Sequence, residues 1–168
     1  MRDNRPLSLS VLIARNNSLE NYLQLHPPSP AARLQILDLS HNLISATGLN
    51  ITTLFEMGCP RYLNLSDNKF TGLVDFHSND NPNNPPSCSV TQLSLAKNSI
   101  TSIGELYRQP YLEYLDIRDN MIQSHFLNPK ESPGFTALKK CLLGSETNYF
   151  CVDDFNQVPA VCGTIEKW

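Results

Sequence analysis

The sequence predicts a curved α/β solenoid of about five to six repeats, with a parallel β-sheet on its concave face. Two observations lead to this prediction: one eleven-residue frame returns along most of the chain, and it returns at nearly regular spacing. Inside the frame, apolar and polar residues alternate over a few positions, as they do in a short strand. One such unit cannot bury its apolar side alone, so stacked neighbours are expected to form a continuous core.

The frame is clearest in LQILDLSHNLI, from Leu34 to Ile44, which has the pattern LxxLxLxxNxI. The other copies are LSVLIARNNSL, PRYLNLSDNKF, VTQLSLAKNSI and LEYLDIRDNMI, so the five frames start at residues 9, 34, 60, 90 and 112. A weaker sixth copy starts at Leu138 and has Cys141 in an inward slot. Successive starts lie 22 to 30 residues apart.

These frames and spacings resemble the leucine-rich-repeat superfamily, in particular its extracellular type, from about Leu9 to Cys162. The subfamily stays open, because NKFTGLVDF comes near the GxIP segment of plant-type repeats while ITSIGELYRQPYLEYLDI resembles the shorter intracellular repeats. We divide the chain into an N-terminal segment or partial cap (1–8), the leucine-rich repeats (9–137), and a last repeat with a cysteine-containing cap (138–168).

Within each frame, the alternation separates a core side from a solvent side. In the second frame it predicts that Leu37 and Leu39 face the core, while Asp38 and Ser40 face water. The frame asparagines come where each strand bends away, and a buried amide there can satisfy turn backbone groups of its own and adjacent repeats. We therefore interpret this column as structural; its members are Asn17, Asn42, Asn68, Asn98 and Asn120.

The segments between frames differ in character. Residues 51–57 are predicted to hold a short helix, and the Asn-, Pro- and Ser-rich stretch 77–89 is predicted to be an outer loop. In the shortest return, Ile103 and Leu106 suit inward positions. The apolar patch at residues 7–14 is interpreted as part of the first repeat rather than a secretory signal, because serines interrupt it and Arg15 ends it.

Composition excludes several classes of partner and of chemistry. The net charge is −3 with 17% charged residues, so nucleic acid is not an expected partner. No apolar run approaches the ~20 residues of a transmembrane helix. The histidines are dispersed and no catalytic, phosphate-binding or zinc-binding motif is present, so we expect no enzyme, cofactor or metal. The close carboxylates Asp116 and Asp119 have no acid/base partner and are interpreted as solvated.

Cysteines and glycosylation sequons favour an extracellular or cell-surface location. Cys151 and Cys162 can close the loop between them, and Cys59 and Cys88 precede consecutive frames and can bridge one edge of the stack, which leaves Cys141 unpaired. The alternative is five reduced thiols in the cytoplasm. The candidate glycosylation residues are Asn16, Asn50 and Asn64.

The outward residues of the frames form columns that run from strand to strand across the predicted concave face. Tyr62 and Tyr114 are the expected anchors, because tyrosine supplies rigid contact area with a polar tip. An excess of aspartate predicts a neutral-to-basic ligand surface. The predicted ligand-binding residues are Ile36, Asp38, His41, Tyr62, Asn64, Asp67, Gln92, Lys97, Tyr114, Asp116, Arg118 and Asp119.

The resemblance implies recognition rather than catalysis, as in receptor ectodomains and secreted inhibitor-like repeat proteins. The expected partner is a protein or peptide, with a glycan as a further ligand class. The alternative function is an intracellular repeat protein that acts as a scaffold or as the regulatory subunit of an enzyme.

Overall fold

The computed structural model describes residues 9–21, 34–50, 60–75, 90–104, 111–122 and 140–142. Every regular element in this part of the chain is a β-strand. In chain order the strands are β1 (Val11–Ile13), β2 (Ile36–Asp38), β3 (Ser45–Asn50), β4 (Tyr62–Asn64), β5 (Lys69–Asp75), β6 (Gln92–Ser94), β7 (Ser99–Gly104), β8 (Tyr114–Asp116) and β9 (Lys140–Leu142).

Six of these strands form one parallel sheet in the order β1-β2-β4-β6-β8-β9. Each frame contributes one strand, and its central residue pairs in register with the same slot of the next frame. That register column consists of Leu12, Leu37, Leu63, Leu93, Leu115 and Cys141. The register aligns the same slot of all six frames, and Cys141 pairs with Leu115 at that slot.

The described residues also contain a second parallel sheet, in the order β3-β5-β7, which the sequence pattern did not predict. Its strands open the segments that follow the frame asparagines. Irregularities in its register fall after Thr47 and after Gly72. Gly48 and Gly72 have φ angles of 74° and 75°, a conformation that residues with a Cβ rarely adopt. The predicted helix (51–57) and outer loop (77–89) lie outside the described residues, as does Leu106.

The core lies between the two sheets. The two inward leucines of the frame are fully buried in the second, third and fourth repeats, as Leu37 and Leu39 illustrate. Phe70, Val74 and Ile103 reach the same cluster from the second sheet, which confirms the inward position of Ile103. Each such side chain contributes about 1.5–3 kcal/mol through its removal from water. The repeats are therefore held together by one shared core.

The asparagine column has the structural role that the sequence predicted. The Nδ2 of Asn98 donates to Leu95 O and Ala96 O in its own repeat and to Leu65 O in the preceding one. Its Oδ1 accepts from Phe70 N of the preceding repeat. Asn42, Asn68 and Asn120 make the same set of bonds. Each amide thus satisfies turn groups in two repeats at once.

One residue before each frame asparagine, the backbone turns into the left-handed region, with φ between 54° and 57°. In the first four repeats the N–H of this residue donates to a carbonyl of the following repeat, as His41 N does to Ser66 O. This conformation ends the strand and turns the chain toward the second sheet. The residues concerned, called here the turn column, are Asn16, His41, Asp67, Lys97 and Asp119.

Candidate functional site

The candidate site is the face of the six-stranded sheet that lies opposite the leucine core, called here the open face. Strand register places the predicted outward residues in two columns, which confirms the columns predicted from the sequence. The first column is Val11, Ile36, Tyr62, Gln92 and Tyr114; the second is Ile13, Asp38, Asn64, Ser94 and Asp116. Along the turn edge of this face lies the turn column. Apart from Arg118, the predicted site residues all lie in these two columns or in the turn column.

An exposed glutamine between two half-buried tyrosines forms the middle of the first column. Gln92 is paired in register with Tyr62 on one side and with Tyr114 on the other. The hydroxyl of Tyr62 accepts a hydrogen bond from Asn64 Nδ2 at 3.4 Å. Burial, with smaller effects from Asp116 and Tyr62, raises the pKa of Tyr114, while Arg118 opposes that rise. Both rings combine partly covered apolar area with a polar tip at the surface.

Beside Tyr114, a bidentate ion pair covers part of the second column. Arg118 Nε donates to Asp116 Oδ1 at 3.0 Å, and Arg118 Nη2 donates to Asp116 Oδ2 at 2.8 Å. The hydrogen bond to Asp116 raises the pKa of Arg118. Asp116 is only 5% exposed, so its interpretation as a solvated carboxylate is wrong. Asp119, its predicted companion, is exposed as expected.

Asp38 and Ser40 do not face water as predicted, since they are only 8% and 2% exposed. Asp38 Oδ1 accepts from Ser40 N at 3.0 Å and from Ser40 Oγ at 2.6 Å. Their register position is on the open face, but they are buried there and hydrogen-bonded to each other. The sequence contained a signal for this mutual bonding. In extended backbone, an acceptor and a donor two residues apart point to the same side and can form a hydrogen bond with each other.

Asn64 and Ser66 repeat this arrangement one strand further on. Asn64 Oδ1 accepts from Ser66 N at 3.1 Å and from Ser66 Oγ at 2.7 Å. The sequon Asn64-Leu65-Ser66 therefore coincides with a structural motif, and its middle residue is fully buried in the core. Asn16, by contrast, is exposed. The side chain of Asn50 lies outside the described residues, and glycosylation at all three positions stays a prediction.

The turn column brings charged groups to the rim of the open face. His41 Nδ1 lies 2.6 Å from Asp67 Oδ2, and both side chains are about half exposed. Lys97 and Asp119 are exposed at the next two positions. The left-handed backbone of this column was not predicted. Its signal was present, because Asn, Asp and His are the non-glycine residues enriched in that region and they occupy four of these five positions.

The expected excess of free aspartate on this face is smaller than the sequence suggested. Asp67 is paired with His41, and Asp116 is paired with Arg118. Among the described residues, only Asp38 and Asp119 of the open face lack a cationic partner within 4.0 Å. The predicted preference for a neutral-to-basic ligand surface therefore depends on these two carboxylates.

The remaining predictions concern disulfides, metal ligands and membrane-spanning helices, and the described residues cover only part of the chain for each. The disulfide candidates Cys59, Cys88, Cys151 and Cys162 lie outside them. In the ranges that the structure covers, no group of three or more His, Cys, Asp or Glu side chains is suited to hold a metal ion. No helix within those same ranges is long and apolar enough to cross a membrane.

Comparison with known proteins gives one match. A family model described as Leucine Rich Repeat matches residues 33–57, which include strand β2, its asparagine turn and strand β3. No curated protein and no solved structure matches the chain at the required significance. The repeated frame, the parallel strand register, the asparagine column and this match together support membership of the leucine-rich-repeat superfamily.

Proposed function

We propose that this chain is a non-enzymatic recognition module that binds a protein or peptide through its open face. We expect that face to be the concave side of a curved α/β solenoid. The family supports the general class, because leucine-rich repeats typically serve protein–protein recognition. Family membership alone specifies neither the extracellular setting nor the open face as the binding surface, and both are part of the proposal.

The row Tyr62, Gln92 and Tyr114 carries this proposal. Tyrosine is enriched among residues that dominate binding energy, because it offers large contact area and loses little conformational freedom. Here two tyrosines flank an exposed amide on adjacent strands of a sheet, so their spacing is fixed by the backbone. A partner that lies across these strands would contact both rings and hydrogen-bond to Gln92 between them.

A photo-crosslinker tests the surface directly. We would replace Gln92 with p-benzoylphenylalanine and irradiate the protein in the presence of material from its natural source. Thr101 is the matched control position, since it is exposed on β7 of the second sheet. We expect a discrete adduct from position 92 that disappears when Tyr62 and Tyr114 are also changed to Ala. Adducts from position 101 alone would contradict the proposed surface.

We further propose an extracellular or cell-surface setting, with disulfides Cys59–Cys88 and Cys151–Cys162 and one free thiol at Cys141. The five cysteines and the three sequons support this setting. Among the sequons, Asn64 contributes least, because its side chain is bonded to Ser66 and Leu65 is buried. Intact-mass analysis of the denatured, unreduced natural protein after alkylation tests it. One free thiol supports the proposal, whereas five free thiols and an unmodified mass favour an intracellular scaffold or regulatory subunit.

A further inference from the structure

The second column of the open face contains two buried aspartates in very different surroundings. Asp38 and Asp116 occupy the same register position, separated by Asn64 and Ser94. Asp116 holds a guanidinium through two parallel hydrogen bonds from Arg118. Asp38 has Ser40 at the position of Arg118, and this serine bonds only to Oδ1. Within the described residues, no donor reaches Asp38 Oδ2.

No cation of the described part of the chain compensates Asp38. Arg15 follows β1 as Ser40 follows β2, two residues beyond the pair Ile13 and Asp38, but its guanidinium is not within 4.0 Å of the carboxylate. His41 is engaged by Asp67. A carboxylate that is 8% exposed has lost most of its hydration, and such groups are normally paired or fully hydrogen-bonded. Among the described residues, Asp38 accepts hydrogen bonds through Oδ1 alone.

We propose that Asp38 is an acceptor site for an arginine side chain of the protein partner. The Asp116–Arg118 pair shows the geometry within the same chain: a guanidinium sits edge-on to an aspartate at this register position, with both carboxylate oxygens accepting. At Asp38 the small Ser40 supplies no such group, so the partner supplies it. This inference rests on the proposed function, because it assigns a contact within the recognition surface.

The neighbours of Asp38 fit an arginine better than a lysine. Ile13 flanks the carboxylate on one strand and Asn64 on the other. Ile13 is strongly exposed, and the methylene stem of an arginine can cover it while the planar head reaches Asp38. The fork of the guanidinium matches two carboxylate oxygens, which the compact ammonium of lysine does not.

An NMR titration of the full chain with N-acetyl-arginine amide tests the site without knowledge of the partner. We expect saturable shifts of the Ser40 amide, whose N–H is bonded to Asp38 Oδ1. N-acetyl-citrulline amide has the same shape without the charge, and we expect no saturable shift from it. N-acetyl-lysine amide should bind at least about tenfold more weakly than the arginine probe.

Two variants of the site have precedents within the chain. Asp38→Asn creates the arrangement that Asn64 and Ser66 already use, so the fold should persist while the saturable shift is lost. Ser40→Arg recreates the Asp116–Arg118 pair and should fill the site from within, with the same loss of binding. Asp119→Asn is the control: it removes an exposed carboxylate of the same face, keeps a residue suited to left-handed backbone, and should leave the titration unchanged.

The outcomes separate this inference from the proposed function. Shifts that survive Asp38→Asn, or that move to the Asp119 turn and vanish in Asp119→Asn, would overturn the assignment of Asp38. The proposed function would still stand if the tyrosine row were needed for the crosslinked partner. Conversely, a saturable arginine site at Asp38 with no role for the tyrosines would retain the acceptor site and reject the recognition surface centred on Gln92.

Discussion

At the scale of single residues, the frame asparagines link neighbouring repeats through their side-chain amides. Each of the four inner ones donates to three carbonyls and accepts from one N–H, across two repeats. An apolar replacement would leave several backbone groups buried without partners, and each such orphan costs about 1–3 kcal/mol. This is why a polar residue recurs inside an otherwise apolar frame.

The change Asn98→Ala tests this role. We expect the free energy of unfolding to fall by about 3 kcal/mol, because Phe70 N and the carbonyls that Asn98 binds lose their partner. Urea denaturation followed by circular dichroism measures the change. Asn17→Ala is the matched control, since Asn17 is exposed and, among the described residues, bonds only to Ala14 O and Arg15 O, so its cost should stay below about 1 kcal/mol. Equal losses at both positions would refute the account of the column.

A second prediction at this scale concerns the left-handed turn column. Lys97 adopts φ 55°, and its side chain is exposed. Asparagine tolerates the left-handed region better, so Lys97→Asn should raise the free energy of unfolding by about 0.5–1 kcal/mol. Lys69→Asn, in strand β5, should give no gain, because asparagine is disfavoured in strands. Thermal unfolding of both variants provides the comparison, and a gain at Lys69 alone would argue against backbone strain at Lys97.

At the scale of elements, the second sheet depends on glycine at its register shifts. Gly72 has φ 75°, and a Cβ built there would lie 3.4 Å from Gly48 N and 3.7 Å from Thr47 Cγ2. These are ordinary van der Waals distances, so glycine is favoured here by the positive φ and not by lack of space. The result is a sheet that follows the repeats even though its strands begin at different offsets from their frames.

We therefore expect Gly72→Ala to destabilise the protein by about 1–2 kcal/mol, chiefly through the left-handed backbone. Hydrogen exchange should show the loss first in the amides of β3 and β5. Ser99→Ala, at an exposed position of β7, serves as the control and should change little. If Gly72→Ala unfolds at the same urea concentration as the wild type, strain at Gly72 is not important for the second sheet.

At the scale of the whole molecule, much of the fold was predictable because it depends on the regular return of one sequence frame. The alternation within LxL assigns Leu37 and Leu39 to the core and sets the register of the open face, and five frames carry that information independently. The second sheet was not predictable, because the return segments vary in length and lack clear alternation. Its strands depend instead on glycine positions and on packing of Phe70 and Val74 against the leucines.

The candidate site was predictable in position and less so in chemistry. The columns follow from strand register, so Tyr62, Gln92 and Tyr114 were correctly placed on one surface. Exposure depends on the side chains of neighbouring strands, about 5 Å away, and the frame pattern does not contain that information. For that reason Asp38 and Asp116 were predicted to be solvated, and both are buried.

The most direct test of the central claim is the affinity of the partner crosslinked at position 92 for two sets of variants. We predict that Tyr62→Ala and Tyr114→Ala each raise the Kd at least about tenfold, as expected for aromatic anchors at an interface. Leu73→Ala removes an exposed apolar side chain from the second sheet and should leave the Kd unchanged. Unchanged binding by both tyrosine variants, with circular dichroism confirming the fold, would contradict recognition through the open face.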